Sequence, residues 1–255
     1  MQIDRDDLLA IDIGNSRISC GLFKTGALVQ TWHYPTREAM SAARAIADGA
    51  HGRPPVALCS VVPAAASEIK TQLALAGCGL FEVSAQGPVP ISDIYQTMGA
   101  DRVANAVAAW KLYGQKSSVI VVDMGTATTL TAVSADGRFC GGFITLGLGQ
   151  TLAALHISTA QLPATRLEQT VTPQLAFDTD SAIVNGTFLA QIGLVEYWVR
   201  LARKTLKGEV TTVATGGWSE PVGRHSAYLD ITDPCLTLKG IYLVAQAAAG
   251  LKDRD

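Results

Sequence analysis

Two stretches of this sequence repeat one pattern, and the repeat restricts the folds open to the chain. Val119-Ile-Val-Val-Asp123-Met-Gly125-Thr126-Ala-Thr128-Thr129 runs β-branched residues into Asp-x-Gly-Thr, then into an apolar segment with Leu130, Ala132 and Val133. Leu8-Leu-Ala-Ile-Asp12-Ile-Gly14-Asn15-Ser16 has the same form. Such runs, bounded by turn residues, read as a buried strand, a tight turn and a returning strand. Each copy reaches a further turn, Lys24-Thr25-Gly26 or Ala135-Asp136-Gly137, whose glycine lies 14 positions after the aspartate. The recurrence is too long for a solenoid period. It predicts two related domains, each opening on a β-meander whose first turn carries Asp-x-Gly.

Glycine in such a turn lets the backbone approach a ligand and leaves amides to face phosphate oxygens. An aspartate at the strand end offers hard oxygens to a hydrated cation. One copy alone is equally an ordinary hairpin turn. Two copies facing each other across a cleft would hold a polyphosphate and its metal.

The rest of the composition narrows the classes. Over 255 residues, 48% are hydrophobic and 16% charged, enough apolar material for real cores and no signature of disorder. The net charge of -2 gives no basic footprint for nucleic acid, and no apolar run is long enough to span a membrane. The acidic start, Met1-Gln-Ile-Asp-Arg-Asp-Asp, does not resemble a signal peptide. Five cysteines (Cys20, Cys59, Cys78, Cys140, Cys235) lack Cys-x-x-Cys spacing, which favours reduced thiols in a cytoplasm over disulfides or zinc. His33, His51, His156 and His225 fall in no catalytic or metal pattern.

Several other segments invite a functional reading beside a plain one. Gly99-Ala-Asp101-Arg102 opens a helix with Val103, Val107 and Trp110 on one face. Asp101 reads locally as the N-cap; alternatively it presents a carboxylate to a cleft, with Arg102 ready for an anion. Gly141-Gly142 through Gly149 precede a helix at about Gln150 to Thr159, so they either expose amides to a phosphate or serve close strand packing. Asp178-Thr179-Asp180-Ser181 is a cap region for a long helix, to about Leu206. Thr215-Gly216-Gly217 ends a strand, either passing close to a nucleotide or simply turning. Polar Gly114-Gln-Lys-Ser-Ser marks the expected domain boundary.

Taken in order, these motifs resemble the type III pantothenate kinases, within the acetate and sugar kinase, Hsp70 and actin superfamily. The residues carrying the resemblance begin with Asp12-Ile-Gly-Asn15-Ser16, Ser60-Val-Val-Pro63, Gly99-Ala-Asp-Arg102 with Asn105, and Asp123-Met-Gly-Thr-Ala127. They continue through Gly141-Gly142, Thr159-Ala-Gln-Leu-Pro163, Thr179 with Gly186, Thr215-Gly-Gly217 and Leu236-Thr-Leu-Lys-Gly240, spanning nearly the whole chain. Each motif alone is weak; the ordered set is specific.

The resemblance implies an α/β fold of two ribonuclease H-like domains with an interdomain cleft. We place them at residues 1–115 and 116–255, with the final helix able to pack back on the first. It implies phosphorylation of pantothenate by ATP to 4'-phosphopantothenate, the first committed step toward coenzyme A. The ATP-binding segment falls on Asp12, Ile13, Gly14, Asn15, Ser16, Arg17, Ile18 and Ser19, joined by Thr126, with Gly216 and Gly217 as further candidates. Pantothenate falls to Gly99, Ala100, Asp101, Arg102 and Thr179, with Asp101 as general base. Asp123 takes the monovalent cation, potassium or ammonium; Asp12 offers a further cation site, and the reaction is expected to need Mg2+ with ATP. A homodimer in the cytoplasm is expected, with no nucleic acid or membrane partner.

Three positions depart from the family pattern. The usual tyrosine before Gly99 corresponds to Ser92, and Tyr95 is the candidate to replace it. Leu146-Gly147 stands where Pro-Gly is common, and Ser16 replaces a threonine while keeping the hydroxyl. Two alternatives stay open: a kinase of another small hydroxyl substrate, or a nucleotide-binding accessory factor without turnover.

Overall fold

The computed structural model describes residues 7–50, 55–168, 171–172 and 174–252. The acidic residues 1–6 and the helix-ending stretch with His51 lie outside the described residues. In chain order the elements are β1 (Leu8–Ile13), β2 (Arg17–Lys24), β3 (Ala27–Pro35), α1 (Ala39–Ala50), β4 (Val56–Ser60), α2 (Pro63–Leu75), β5 (Leu80–Glu82) and α3 (Ala100–Ala109). They continue with β6 (Ser118–Met124), β7 (Ala127–Val133), β8 (Phe139–Leu146), α4 (Leu148–Ser158), α5 (Thr179–Thr205), β9 (Val210–Thr215), α6 (Ser219–Gly223), β10 (Ile231–Thr232) and α7 (Leu236–Lys252). A 3-10 turn, Thr36–Glu38, follows β3, and one wide helical turn, Trp110–Gly114, follows α3.

Two compact units result. One runs to Ala108 and resumes at Cys235; the other is Ala109–Pro234. The division therefore differs from residues 1–115 and 116–255 at both ends. The Trp110 turn goes with the second unit because the indole donates from Nε1 to the Ala135 carbonyl at 3.1 Å. Helix α7 goes with the first unit because its apolar residues are buried on that unit's sheet.

The first unit's five-stranded sheet has the order β3-β2-β1-β4-β5, with β1 antiparallel to β2 and parallel to β4. Strand β1 is central, so both its faces need cover, and its unbroken aliphatic character follows from that. Leu9, Ile11 and Ile13 face one way and join Ala42, Ala43 and Ile46 of α1 with Ala66, Ile69 and Leu73 of α2. On the other face, Gly21, Ala10 and Ala57 lie side by side across β2, β1 and β4. These small residues form a shallow row for α7: a Cβ on Gly21 would already lie 3.1 Å from Leu238. Farther along, Phe23 stacks on Tyr242 with ring centroids 4.4 Å apart. Aromatic pairs of this kind add about 1 kcal/mol beyond their buried area.

The second unit repeats the plan. Its sheet order is β10-β9-β6-β7-β8, with β6 antiparallel to β7 and parallel to β9. Read from the other edge, this is the first unit's order, with β6 in the place of β1. Ile120, Val122 and Met124 of β6 meet Leu148 of α4 and Phe188, Ile192, Val195 and Val199 of α5. Phe188 is fully buried, and a side chain of this size contributes about 2–3 kcal/mol by leaving water. Asp178 caps α5, its carboxylate accepting from the Ser181 amide at 2.9 Å.

Candidate active site

Asp12 and Asp123 hold the same place in the two sheets. Each is the next-to-last residue of the central strand, and each is followed by a glycine-bearing turn.

Asp12 lies on the face of β1 that α7 covers, opposite Ser19 of β2 and Cys59 of β4. The Cys59 thiol donates to Asp12 Oδ1 at 3.3 Å. Burial, and next the charge of Asp101, push the Asp12 carboxyl up to about 7, against the opposing pull of Cys59 and Arg17. Asp101 is also held above the usual carboxylate range, burial outweighing the Arg102 amide and guanidinium. Two carboxylates that desolvate and repel each other will take up a proton or a cation between them.

Asp101 does not cap α3. The helix begins at Ala100, and Val103 donates to the Gly99 carbonyl at 3.1 Å, so Gly99 stands at the cap and Asp101 in the first turn. The Asp101 carboxylate folds back to accept from the Arg102 amide at 2.7 Å. A Cβ on Gly99 would sit 2.5 Å from that carboxylate oxygen, so this motif needs glycine to leave it room. Arg102 is 5% exposed, and its Nη1 donates to the Tyr95 hydroxyl at 2.6 Å. Tyr95 thus shares the site with Gly99, Ala100, Asp101 and Arg102, although Ser92 occupies the position the family pattern predicts for a tyrosine.

Helix α3 is fixed from behind by α7. Thr237 Oγ1 donates to Asn105 Oδ1 at 2.9 Å, one turn along from Asp101. A Cβ on Gly240 would lie 2.0 Å from the Ala104 carbonyl oxygen, so the two helix backbones cross in contact. The Leu236 to Gly240 motif therefore acts on the site by holding the helix that carries Asp101.

Between β1 and β2 the turn is held by backbone and by Thr36. Gly14 N donates to the Arg17 carbonyl at 3.0 Å, and Thr36 Oγ1 donates to the Gly14 carbonyl at 2.7 Å. Asn15, Ser16 and Arg17 are exposed at its tip, whereas Ile13 and Ile18 point into the core. The two isoleucines can therefore offer a ligand only backbone atoms. Ser19 is buried beside Asp12.

In the second unit, Asp123 pairs in register with Thr129 of β7 and Thr215 of β9, and Thr126 is part-buried in the turn that follows. Gly216 takes a φ of +89°, and a Cβ there would meet Asp123 Oδ1 at 2.5 Å and the Met124 backbone at 2.6 Å. It packs against the Asp123 turn, which accounts for that glycine; Gly217 has open space. Gly141 and Gly142 lie inside β8, so they do not open a helix. Gly147 is the residue at the start of α4, where a Cβ would strike the Gly125 carbonyl oxygen at 2.1 Å. Thr179 is exposed at the first position of α5.

Cys59 and Thr36 escape a reading of single motifs, as do the contacts made by Thr237 and Gly240. Their partners lie 47, 22, 132 and more than 100 positions away, and only the fold joins them.

Comparison with known proteins adds the family. The chain is 36% identical over 254 residues to a type III pantothenate kinase of Parafrankia sp. (strain EAN1pec), covering 93% of this chain and 96% of that one. Among solved structures, a Campylobacter jejuni protein assigned to the Baf family of transcriptional activators aligns with a TM-score of 0.62 at 19% identity, covering 96% and 99% of the two chains. An archaeal actin homologue aligns with a TM-score of 0.55 at 10% identity, covering 94% and 99%. These two likenesses concern the fold, and they make it the actin-like pair of ribonuclease H-like domains. The family model of the type III pantothenate kinases matches residues 8–201, most of the chain, and this chain belongs to that family.

Proposed function

We propose that the residues gathered around Asp12 and Asp101 carry out the reaction named by the family. The chain is a pantothenate kinase: it uses ATP and transfers a phosphoryl group to the primary hydroxyl of pantothenate, giving 4'-phosphopantothenate for coenzyme A synthesis. The observation carrying the assignment of roles is Asp101, a carboxylate raised above its usual range by burial yet oriented by the Arg102 amide. A raised carboxylate is a better base toward a hydroxyl proton. Arg102, backed by Tyr95, suits pantothenate's carboxylate. The turn from Asp12 to Ser19, with Thr126, Gly216 and Gly217, meets ATP, and Thr179 contacts pantothenate.

The donor set suits Mg2+. Asp12 is a half-buried hard-oxygen ligand opposed by a second carboxylate, and no group of three metal-binding side chains exists among the described residues. Magnesium commonly takes one or two carboxylates and completes its shell with water and phosphate. Bound there, it would neutralise phosphate charge. Asp123, flanked by threonines, is assigned to potassium or ammonium.

Leu189, Tyr197 and Leu201 leave apolar surface exposed along α5, which supports a homodimer, testable by light scattering. Cysteines that form no disulfide fit a cytoplasmic enzyme, and no helix among the described residues is long and apolar enough to cross a membrane.

The test is ADP release with ATP and magnesium, with and without pantothenate, in potassium and then sodium buffer. Pantothenate-dependent turnover favoured by potassium is expected. Asp101→Asn should keep ATP binding and lose most turnover; an unchanged kcat removes Asp101 from the mechanism. Bound ATP without pantothenate-dependent turnover would favour another acceptor or an accessory role.

A further inference from the structure

We infer that Thr36 is a positioning residue for ATP, aiming two backbone amides of the Asp12 to Ser19 turn at the phosphates; this rests on the reading that the turn meets ATP. Thr36 is only 8% exposed and opens the 3-10 turn after β3, well outside the motif it serves. Its side chain donates to the Gly14 carbonyl at 2.7 Å, and its backbone N–H donates to the Ser16 carbonyl at 3.2 Å. One residue thus takes two alternate carbonyls of a four-residue turn.

The consequence follows from peptide geometry. The peptides here are trans, so each carbonyl and the N–H of the next residue point in opposite directions. Drawing the Gly14 carbonyl toward Thr36 turns the Asn15 N–H away from it. Drawing the Ser16 carbonyl the same way turns the Arg17 N–H away as well. The Asn15 and Arg17 amides, two residues apart, then lie on one side of the turn, where both can donate to one anionic group. Gly14 makes the first peptide easy to rotate, because the residue before it lacks a side chain to resist the flip. The Thr36 hydroxyl is the restraint on that rotation.

The threonine has a plainer possible role, closing β3 onto the hairpin for stability, and the two roles separate by ligand. Titration calorimetry of the full chain would compare wild type, Thr36→Val and Thr36→Ser with ATP and with adenosine. Valine keeps the shape and the backbone N–H but removes the hydroxyl; serine restores it. The expected result is ATP binding about tenfold weaker in Thr36→Val, the scale of one lost hydrogen bond, with adenosine unchanged and Thr36→Ser near wild type. Equal ATP affinity in Thr36→Val, an equal loss for adenosine, or no rescue by serine would overturn the inference. Should the valine variant not fold, Thr36→Cys, a weaker donor, is read in its place: a smaller loss for ATP alone supports the role and none refutes it. Wild type that binds ATP no better than adenosine would overturn the phosphate reading of the turn itself, and Thr36's role with it.

Discussion

Asp12 should make the ligand-free protein less stable at neutral pH than it would be without that charge. Its carboxyl titrates at about 7 in the folded chain, against 3.8 ordinarily, so folding favours the protonated form. The stability this gives is fully present below 3.8 and is lost as pH rises through about 7. At about 1.4 kcal/mol for each unit of displacement, a shift of about three units corresponds to about 4 kcal/mol. Partial exposure and the electrostatic coupling to Asp101 reduce this, and roughly 2 kcal/mol is the working figure. Asp12→Asn removes the titration while keeping the shape. Urea unfolding without nucleotide or divalent ions, at about pH 5 and about pH 8, should show the variant gaining on wild type by roughly 2 kcal/mol between the two. Turnover should be lost in the same variant. A stability difference that is equal at both pH values, or that shrinks toward pH 8, would refute the buried-pair argument.

Other substitutions test the supports of the site. Tyr95→Phe removes the hydroxyl that accepts from Arg102, and should raise KM for pantothenate by about fivefold to tenfold, near 1 kcal/mol, with kcat little changed. A normal KM in steady-state kinetics would take Tyr95 out of the substrate site. Gly240→Ala places a methyl 2.0 Å from the Ala104 carbonyl, and should destabilise the chain by at least about 2 kcal/mol in urea unfolding. A wild-type midpoint would mean that α7 and α3 can separate at little cost.

The sequence disclosed the architecture more fully than the site. The two Asp-x-Gly strands were legible because a central strand buried on both faces must be aliphatic, and the turn after it must be polar. Their duplication foretold two sheets of one topology, and the strand orders around β1 and β6 match. The long α5 was marked by the cluster of capping residues at Asp178. Asp101 misled because it stands two residues after Gly99, and both residue types cap helices; only the Val103 bond to the Gly99 carbonyl decides between them. The glycines from Gly141 to Gly149 read equally as a helix entrance or as close strand packing, because a helix follows them in either case; Gly141 and Gly142 lie within β8. Thr36 and Cys59 act across strands, and no local spacing encodes a partner that the fold alone brings near.

The return of α7 to the first sheet has a consequence for synthesis. Residues 109–234 are an insertion within the first unit, whose sheet lacks its Leu238 and Tyr242 cover until α7 has been made. The second unit, contiguous in sequence, can close while the chain is still emerging, because domains that need only local residues fold as they appear. The first to be translated is then the last to be completed. During that interval the Ala10 to Ala57 row stands open to water, and a chain broken ahead of Leu236 would strand the half that carries Asp12 and Asp101.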